Sequence, residues 1–465
     1  MRELPRTLFD IYALALPCGH GFGNRPPIST WQSGDGLAYG VITRHVGTGD
    51  IGILVMCRRI DSTWAQMAAE TGLSSQQEAM SKLLPLLQSD LPREPMPSNT
   101  APRPALYDIG TREPSDVFKV LATKSHLIAA WTLNQLYLAM PNPDKNWVGD
   151  CQTGNFHTRL WEAQLLANFR EQGLLVTQPH PSPDFRIENR KGGAAWVEAV
   201  TANPTTPYNH VNAQPSSQPT ERDELFFGAA AVRFAKTLGS KLQRKYHQLA
   251  HVEGMPFAIA ISDFHAPASM MWSREALIGY LYGEGAEAQE VDGTNIAVPT
   301  TASHLHGPAA FPAGLFSDGR QKELSAVIFS NACTISKLSR VSICGGADDK
   351  GLRYMRIGRF FDRTPGALEG IPFCLDITSE EYRSLWPQGY EPWSAELEVF
   401  HNPHARHPLP KALIPEATHW FERDGETICE SFYETSILWS QTRILNQNDR
   451  VPALDDFLPN GEAEQ

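Results

Sequence analysis

The sequence has no run of about 18 apolar residues, so none of its helices is expected to span a membrane. It has no CxxC pair. Its seven cysteines, Cys18, Cys57, Cys151, Cys333, Cys344, Cys374 and Cys429, are odd in number and widely spaced. That argues against a disulfide framework or a structural zinc site and fits reduced, mostly buried thiols in a cytoplasmic protein. No GxSxG elbow occurs, which disfavours a hydrolase of that type. The glycine-rich GHGFGN at 19–24 lacks a preceding strong strand, and neither Lys-Ser nor Lys-Thr follows it. It reads as a turn rather than a phosphate loop or a dinucleotide fingerprint. Basic residues are outnumbered, 40 against 52 acidic, and the formal charge of −12 excludes a generally basic coat for nucleic acid. A local basic groove is still compatible with that charge, as is a metal-assisted site that manages phosphates itself.

What is present is ordinary globular material. At 42% hydrophobic and 20% charged, the composition excludes wholesale disorder. The 465 residues suffice for two or three domains and a large core without staples. The opening MRELPRTLFDIYALALPCGHG is broken by Glu3, Pro5 and Asp10 and offers no small-x-small cleavage site. It is therefore expected to belong to the fold rather than to a signal peptide.

Apolar β-branched runs around Gly47-Thr48-Gly49-Asp50 predict a hairpin over 37–60. Helices are expected at 74–89, capped by Ser74 or Ser75, at 115–140, at 156–172 closed by Gly173, at 225–250 and at 273–283. Strands are expected in LLVTQ, DFRIE and AAWVEAVT, and at 256–262 and 324–330. Prolines mark 203–220 as an exposed loop and 90–113 as a linker. The resulting partition is a small N-terminal α+β domain (1–95), a proline-rich linker (96–113), a central α/β domain (114–335) and a mixed C-terminal region (336–465). The acidic end, 455–465, is expected to fray.

Four residues between 156 and 262 carry the chemistry of interest: Glu162 in a helix, Asp184 at a strand start, Glu198 inside a strand and Lys241 in a helix. Magnesium needs only one or two carboxylates, because it keeps several waters. Two carboxylates on neighbouring strands can share one ion, which polarises a phosphoryl oxygen and acidifies a bound water. A nearby lysine can orient that water, and a helix glutamate can complete the shell. Each residue also has an ordinary alternative. Glu162 can be a solvated helix charge, Asp184 a turn residue, Glu198 an exposed edge-strand acid and Lys241 half of a surface ion pair. Glu198 resists its alternative most, because AAWVEAV is apolar on both sides of it and an unpaired buried carboxylate is costly.

Pro183-Asp184, Glu198 and Glu162, in the order helix, three strands, helix, strand, resemble the PD-(D/E)xK, restriction-endonuclease-like nuclease superfamily over roughly 155–265. VEAVT, the proline-rich loop after it, RFAKTLGSKLQRKY and GMPFAIAI further resemble a bacterial group of unassigned function with an IEAV-type strand. The superfamily resemblance implies an α/β fold with a mixed sheet flanked by helices. It also implies a magnesium- or manganese-dependent nuclease acting on nucleic acid, DNA rather than RNA, with a place in bacterial defence or repair. Asp184, Glu198 and Glu162 would be the metal ligands and Lys241 the catalytic cation. One departure is plain: Val200 stands where the superfamily carries lysine, and some members move that lysine to the following helix.

That helix has an apolar stripe of Phe227, Ala231, Phe234, Leu238, Leu242 and Leu249. At about 100° per residue, Lys236 points away from the stripe, Lys245 falls inside it and Lys241 lies about 60° from its centre. Lys241 is the preferred replacement, since Lys245 sits near the helix end and can snorkel past the core. A second reading keeps the fold without the chemistry, as a silent module that binds nucleic acid or a protein partner; a homodimer is compatible with either.

Other clusters rank lower. His401, His404 and His407 have zinc-like spacing, but Pro403, Pro408 and Pro410 deny them a helix. Cys18 with His20, or Cys333, has no ordered partner for a nucleophile. Tyr208, Asn209, His210 and Asn212 could meet a nucleic-acid strand or form a plain loop. Arg186, Arg190, Lys191, Arg233, Lys236, Arg244 and Lys245 give the middle of the chain a local basic bias suited to phosphate, or simply to water.

Overall fold

The structure, a computed structural model, describes residues 1–13, 24–88, 96–97, 100–291, 294–307, 311–347 and 351–450. Cys18, His20, nearly all of the 19–24 glycine turn and the acidic end lie outside the described residues.

Strands β1 (Arg2–Glu3), β2 (Pro27–Gln32), β3 (Ala38–Arg44), β4 (Ile51–Arg58) and β5 (Trp64–Leu73) form an antiparallel meander. Helix α1 (Arg6–Ala13) lies between the first two strands. The expected hairpin is β3–β4, with Ile42 opposite Ile53. Helix α2 (Gln76–Leu86) starts at Ser75, whose side chain accepts the Glu78 N–H.

Next come α3 (Asp116–Val120), α4 (Leu127–Ala139), α5 (Trp147–Gln152) and α6 (Phe156–Glu171). The single helix expected over 115–140 is thus broken into α3 and α4. Thr123 Oγ1 donates to the Val120 carbonyl at 2.7 Å and meets His126 Nδ1 at 2.8 Å. Such local side-chain bonds compete with the helical ladder.

Around the site run β6 (Leu175–Thr177), β7 (Phe185–Glu188), β8 (Ala194–Ala202), α7 (Arg222–Phe227), α8 (Ala229–Leu242), β9 (Phe257–Asp263) and α9 (Ser273–Tyr282). A hairpin of β10 (Glu284–Val291) and β11 (Thr294–Thr301) leads to β12 (Ala326–Phe329) and α10 (Ile335–Cys344). The remaining strands are β13 (Leu352–Phe360), β14 (Ile371–Asp376), β15 (Glu398–His401), β16 (Thr418–Arg423), β17 (Glu426–Ser431) and β18 (Ile437–Asn446).

The central sheet has eight strands in the order β17-β16-β15-β12-β9-β8-β7-β6. It is mixed: β8, β9 and β12 are parallel, whereas β6, β7 and β8 form an antiparallel meander. Alternation along β8 divides two cores. Ala195, Val197 and Ala199 pack with α4 and α6 on one face, and Trp196 packs with Phe234 and Leu238 of α8 on the other. The chain is a mixed α/β protein whose mixed sheet is flanked by helices. Among the described residues, no helix is long and apolar enough to cross a membrane.

The expected partition is redrawn. Tyr39, Met56 and Trp64 of the N-terminal sheet share one core with Leu133 and Leu136 of α4, so no gap between cores falls at 95/96. Residues 100–113 are docked rather than free. Leu106 is buried, Tyr107 Oη donates to the Ala130 carbonyl, and the Arg103 guanidinium donates to the carbonyls of Tyr137 and Leu138. The boundary at 335/336 falls inside the architecture, because β15, β16 and β17 belong to the central sheet. Strand pairing is non-local, and nothing in 336–465 alone announces it.

The helix expected over 225–250 is also divided, at Gly228 and again at Lys245. A Cβ on Gly228 would lie 2.3 Å from the Glu224 carbonyl oxygen, so the close turn between α7 and α8 requires glycine. Gly228→Ala is expected to destabilise the protein by about 1–3 kcal/mol, the usual range for forced overpacking, and urea denaturation measures it. Lys245 takes a left-handed conformation at φ 53° and ends the helical region. Lys245 and Leu249 are consequently exposed instead of lying in the apolar stripe.

Candidate active site

Asp184 immediately precedes β7 and Glu198 sits at the middle of β8, two strands paired with Phe185 opposite Val197. Strand alternation puts Glu198 on the face of Trp196, towards α8. Its side chain is only 5% exposed. A carboxylate that deep needs a partner, and two arrive from the helical crossover. Lys241 Nζ donates to Glu198 Oε1 at 2.6 Å, and Tyr246 Oη donates to the same oxygen at 2.6 Å. The left-handed turn at Lys245 returns Tyr246 to the sheet, where its buried ring packs on Phe257. Glu198 Oε2 is buried and has no hydrogen-bond partner among the described residues.

Asp184 Oδ2 accepts the Ala199 backbone N–H at 2.7 Å, which ties the acid at the start of β7 to the residue after Glu198. His251 Nε2 meets the Ser182 carbonyl at 2.9 Å and its ring stacks on His180, so the turn before Asp184 is clamped from outside. Glu162 is placed differently. Both of its oxygens accept from Arg159 Nη1, at 2.9 and 3.0 Å, and Oε2 also accepts the Trp147 indole N–H at 2.9 Å. Arg159 reaches on to Asp150. Glu162 thus senses the cluster through its charge while its own oxygens are spoken for.

Two of the three acids, Asp184 and Glu162, are raised. Burial pushes the Asp184 carboxyl well above the usual carboxylate range; the charges of Glu198 and Glu162 add to this, and the Ala199 N–H and Lys241 oppose it. Glu162 is raised by burial and by Glu198, against Arg159. For Asp184, stability is full below the unfolded-state pKa and falls as pH rises through the higher folded-state pKa. Asp184→Asn keeps an acceptor for Ala199 and removes the titration. The variant is expected to gain stability relative to wild type as pH rises from 5 to 8, in chemical denaturation at each pH.

The donor set suits a hard divalent cation held by two carboxylates. Glu198 Oε2 is buried without a partner among the described residues, and Asp184 stands beside it on the neighbouring strand. It is not a finished cage: among the described residues, no three His, Cys, Asp or Glu side chains are grouped to hold a metal ion. Magnesium tolerates this, since waters fill most of its shell.

Neither family models, curated proteins nor solved structures give a match to this chain.

The lower-ranked clusters fall away on geometry. His401 Nε2 lies 2.8 Å from Nδ1 of His419, whose Nε2 donates to the Ile414 carbonyl. Burial pushes the two imidazoles down to about 3 and about 4. His404 and His407 do not join them in a metal-binding group. Cys333 is buried, and its thiol is pushed up by that burial. Tyr208 Oη donates to the Phe264 carbonyl and Asn209 Nδ2 to Asp116, so the loop after β8 is pinned to the fold. Arg190, Lys191, Lys236, Arg244 and Lys245 are exposed. Lys236 points away from the core, as the helical spacing predicts. Tyr246 is not among the site residues expected from the sequence, although it closes the RFAKTLGSKLQRKY segment that carries the second resemblance.

Proposed function

We propose that the protein is a metal-dependent nuclease, built on a restriction-endonuclease-like core, that hydrolyses phosphodiester bonds in nucleic acid, DNA in preference to RNA. The observation that carries this reading is the contact of Lys241 Nζ with Glu198 Oε1. The cation missing from the strand at Val200 is supplied from α8 to the same carboxylate. The order α6, β6, β7, β8, α8, β9 supports it, as does the placing of Asp184 beside Glu198 by the Ala199 N–H.

Asp184 and Glu198 would hold Mg²⁺ or Mn²⁺. When bound, the ion supplies Lewis-acid polarisation of the phosphoryl oxygen and a more acidic water. Lys241 holds the Glu198 carboxylate in its rotamer and sets a positive charge beside the phosphate. Tyr246 Oη keeps its proton, since burial and Glu198 raise its pKa, and acts as a fixed donor to Oε1. Glu162, held by Arg159 and Trp147, raises the proton affinity of Asp184 without being a ligand.

The test is cleavage of plasmid, linear duplex, single-stranded DNA and RNA with Mg²⁺, with Mn²⁺ and with chelator. Cutting that requires metal and prefers DNA is expected. Cutting unaffected by chelator overturns the reading. A second reading, a silent module that binds nucleic acid or a protein partner, has one observation in its favour: Lys241 and Tyr246 both close on Glu198, with no three-ligand group among the described residues. Nucleic acid bound but uncut under every metal condition selects it.

A further inference from the structure

A second polar site lies at the opposite end of α8 from Lys241. A surface cavity of about 430 Å³ is lined by Arg233, Lys236, Glu224, His265, His306 and Val232, among others. Arg233 Nε is buried with no hydrogen-bond partner among the described residues. Lys236 makes no ion pair among the described residues; its nearest aromatic face is Phe311, at 5.8 Å. An unsatisfied guanidinium nitrogen and an unpaired ammonium, one helical turn apart on one wall, are matched to an anion.

The acidic and histidine part of the lining is built differently. Glu224 Oε1 accepts the Ala229 N–H at 3.1 Å, and its other oxygen faces His306 Nδ1 at 3.4 Å. His306 Nε2 meets Asp223 at 3.1 Å. His265 is fixed from behind: its Nδ1 lies 2.8 and 2.9 Å from the two oxygens of Asp263, which is fully buried and also accepts Ser269 Oγ at 2.7 Å. With Nδ1 donating to Asp263, Nε2 is the ring nitrogen left for a ligand. Val232 and Ala229 supply apolar wall. A phosphate alone would leave the acidic lining and most of the volume unused. A ligand carrying an anion at one end, a flat apolar body and a hydrogen-bond donor at the other would use all of it. The cavity also lies within the size range of small-molecule sites.

The geometry points to a binding site for one nucleotide unit, with its phosphate on Arg233 and Lys236 and an amino-bearing base towards Glu224 and His306. Arg233, Thr237 and Lys241 are spaced four residues apart and form one ridge of α8. Eight residues of helix span about 12 Å, the length of three to four stacked nucleotides at about 3.4 Å each. The cavity therefore holds a nucleotide a few positions from the phosphate at Lys241. That last placement rests on the nuclease reading; nucleotide binding itself does not.

The experiment is calorimetric titration of the full chain, without divalent metal, with CMP, AMP, UMP and inorganic phosphate, then with a short single-stranded oligonucleotide. CMP and AMP are expected to bind at least tenfold more tightly than inorganic phosphate, and UMP, which lacks the exocyclic amine, more weakly than CMP. Lys236→Ala, at an exposed position, and Arg233→Gln are each expected to weaken binding at least tenfold, with unchanged circular dichroism. For the oligonucleotide arm, the pair is expected to lower the salt slope by about one to two. Phosphate binding as tightly as CMP overturns the assignment, and so does nucleotide affinity unchanged in both variants. A strand source without free-nucleotide binding is marked by variant effects on the oligonucleotide alone, and also overturns the site as a nucleotide pocket. None of these readouts depends on cleavage, so failure here and failure of the nuclease reading are separable.

Discussion

On the nuclease reading proposed above, Lys241→Ala is expected to lower metal-dependent cleavage by on the order of 10²-fold or more, the usual cost of removing a group aimed at transition-state charge, and Glu198→Ala is expected to do the same. Both groups meet at one oxygen, Glu198 Oε1, so the two losses should not add. Lys241→Arg is not expected to rescue, because a planar guanidinium cannot replace a compact ammonium at 2.6 Å from a single oxygen. A sharper version moves the charge back to the strand. Val200 is two residues after Glu198 and on the same face of β8. Lys241→Ala combined with Val200→Lys should recover part of the lost rate. Thermal melts accompany each assay, since Lys241→Ala leaves a buried carboxylate with Tyr246 alone. Full activity in Lys241→Ala would sink the helix-borne lysine.

Glu391→Gln should cost about 3–5 kcal/mol of stability, the usual result of removing one member of a buried ionic group. Glu391 is fully buried. It lies 3.0 Å from Lys337 Nζ, 3.0 Å from Arg340 Nη2 and 3.4 Å from Arg356 Nη1, and it accepts Tyr382 Oη. Glu396 pairs with Lys337 and Arg356. The change leaves three buried cations facing one acid. The three cations hold the Glu391 carboxyl well below the ordinary carboxylate range, against the cost of its burial. A depressed folded-state pKa gives stability that is present above the unfolded-state pKa and lost as pH falls through the folded-state pKa. The gap between wild type and variant should therefore be full at pH 7 and close in acid. Chemical denaturation at pH 7 and at a series of pH values from 4 downwards measures both; a gap that widens in acid contradicts the argument.

Local pattern made much of the site legible. Glu198 stood out because an acid in AAWVEAV had to be paired, and Lys241 because it lay close to an apolar stripe. The resemblance to the nuclease superfamily is what directs attention to a displaced lysine on that helix, and helical spacing with the cost of a buried charge then singles out Lys241 over Lys236 and Lys245. What stayed hidden depended on longer-range geometry. The left-handed turn at Lys245, which delivers Tyr246, cannot be read from a residue type that rarely adopts it. Arg159 and Trp147, which occupy Glu162, look in sequence like an ordinary helix charge and a core aromatic. The joining of β15 to β12 relates Glu398 to Phe329 across a long stretch of chain, and no local signal encodes such pairing. The break between α3 and α4 had a cue in its Thr, Ser and His residues, but helical spacing on both sides masked it.

Because Lys241 and Tyr246 reach Glu198 from the last turn of α8 and the segment just beyond it, the cation and the acid belong to elements that can open separately. The strand acid sits on β8, an interior strand of the eight-stranded sheet, while α8 ends in half-buried Leu242 followed by exposed Gln243, Arg244 and Lys245. Amide hydrogens in that last turn should exchange with solvent faster than those of β8 and β9, in a separate sub-global opening. Each such opening dismantles the site and leaves the sheet intact. Exchange at Leu242 to Tyr246 would then report how often the site is assembled, and a ligand bridging acid and lysine would slow it first.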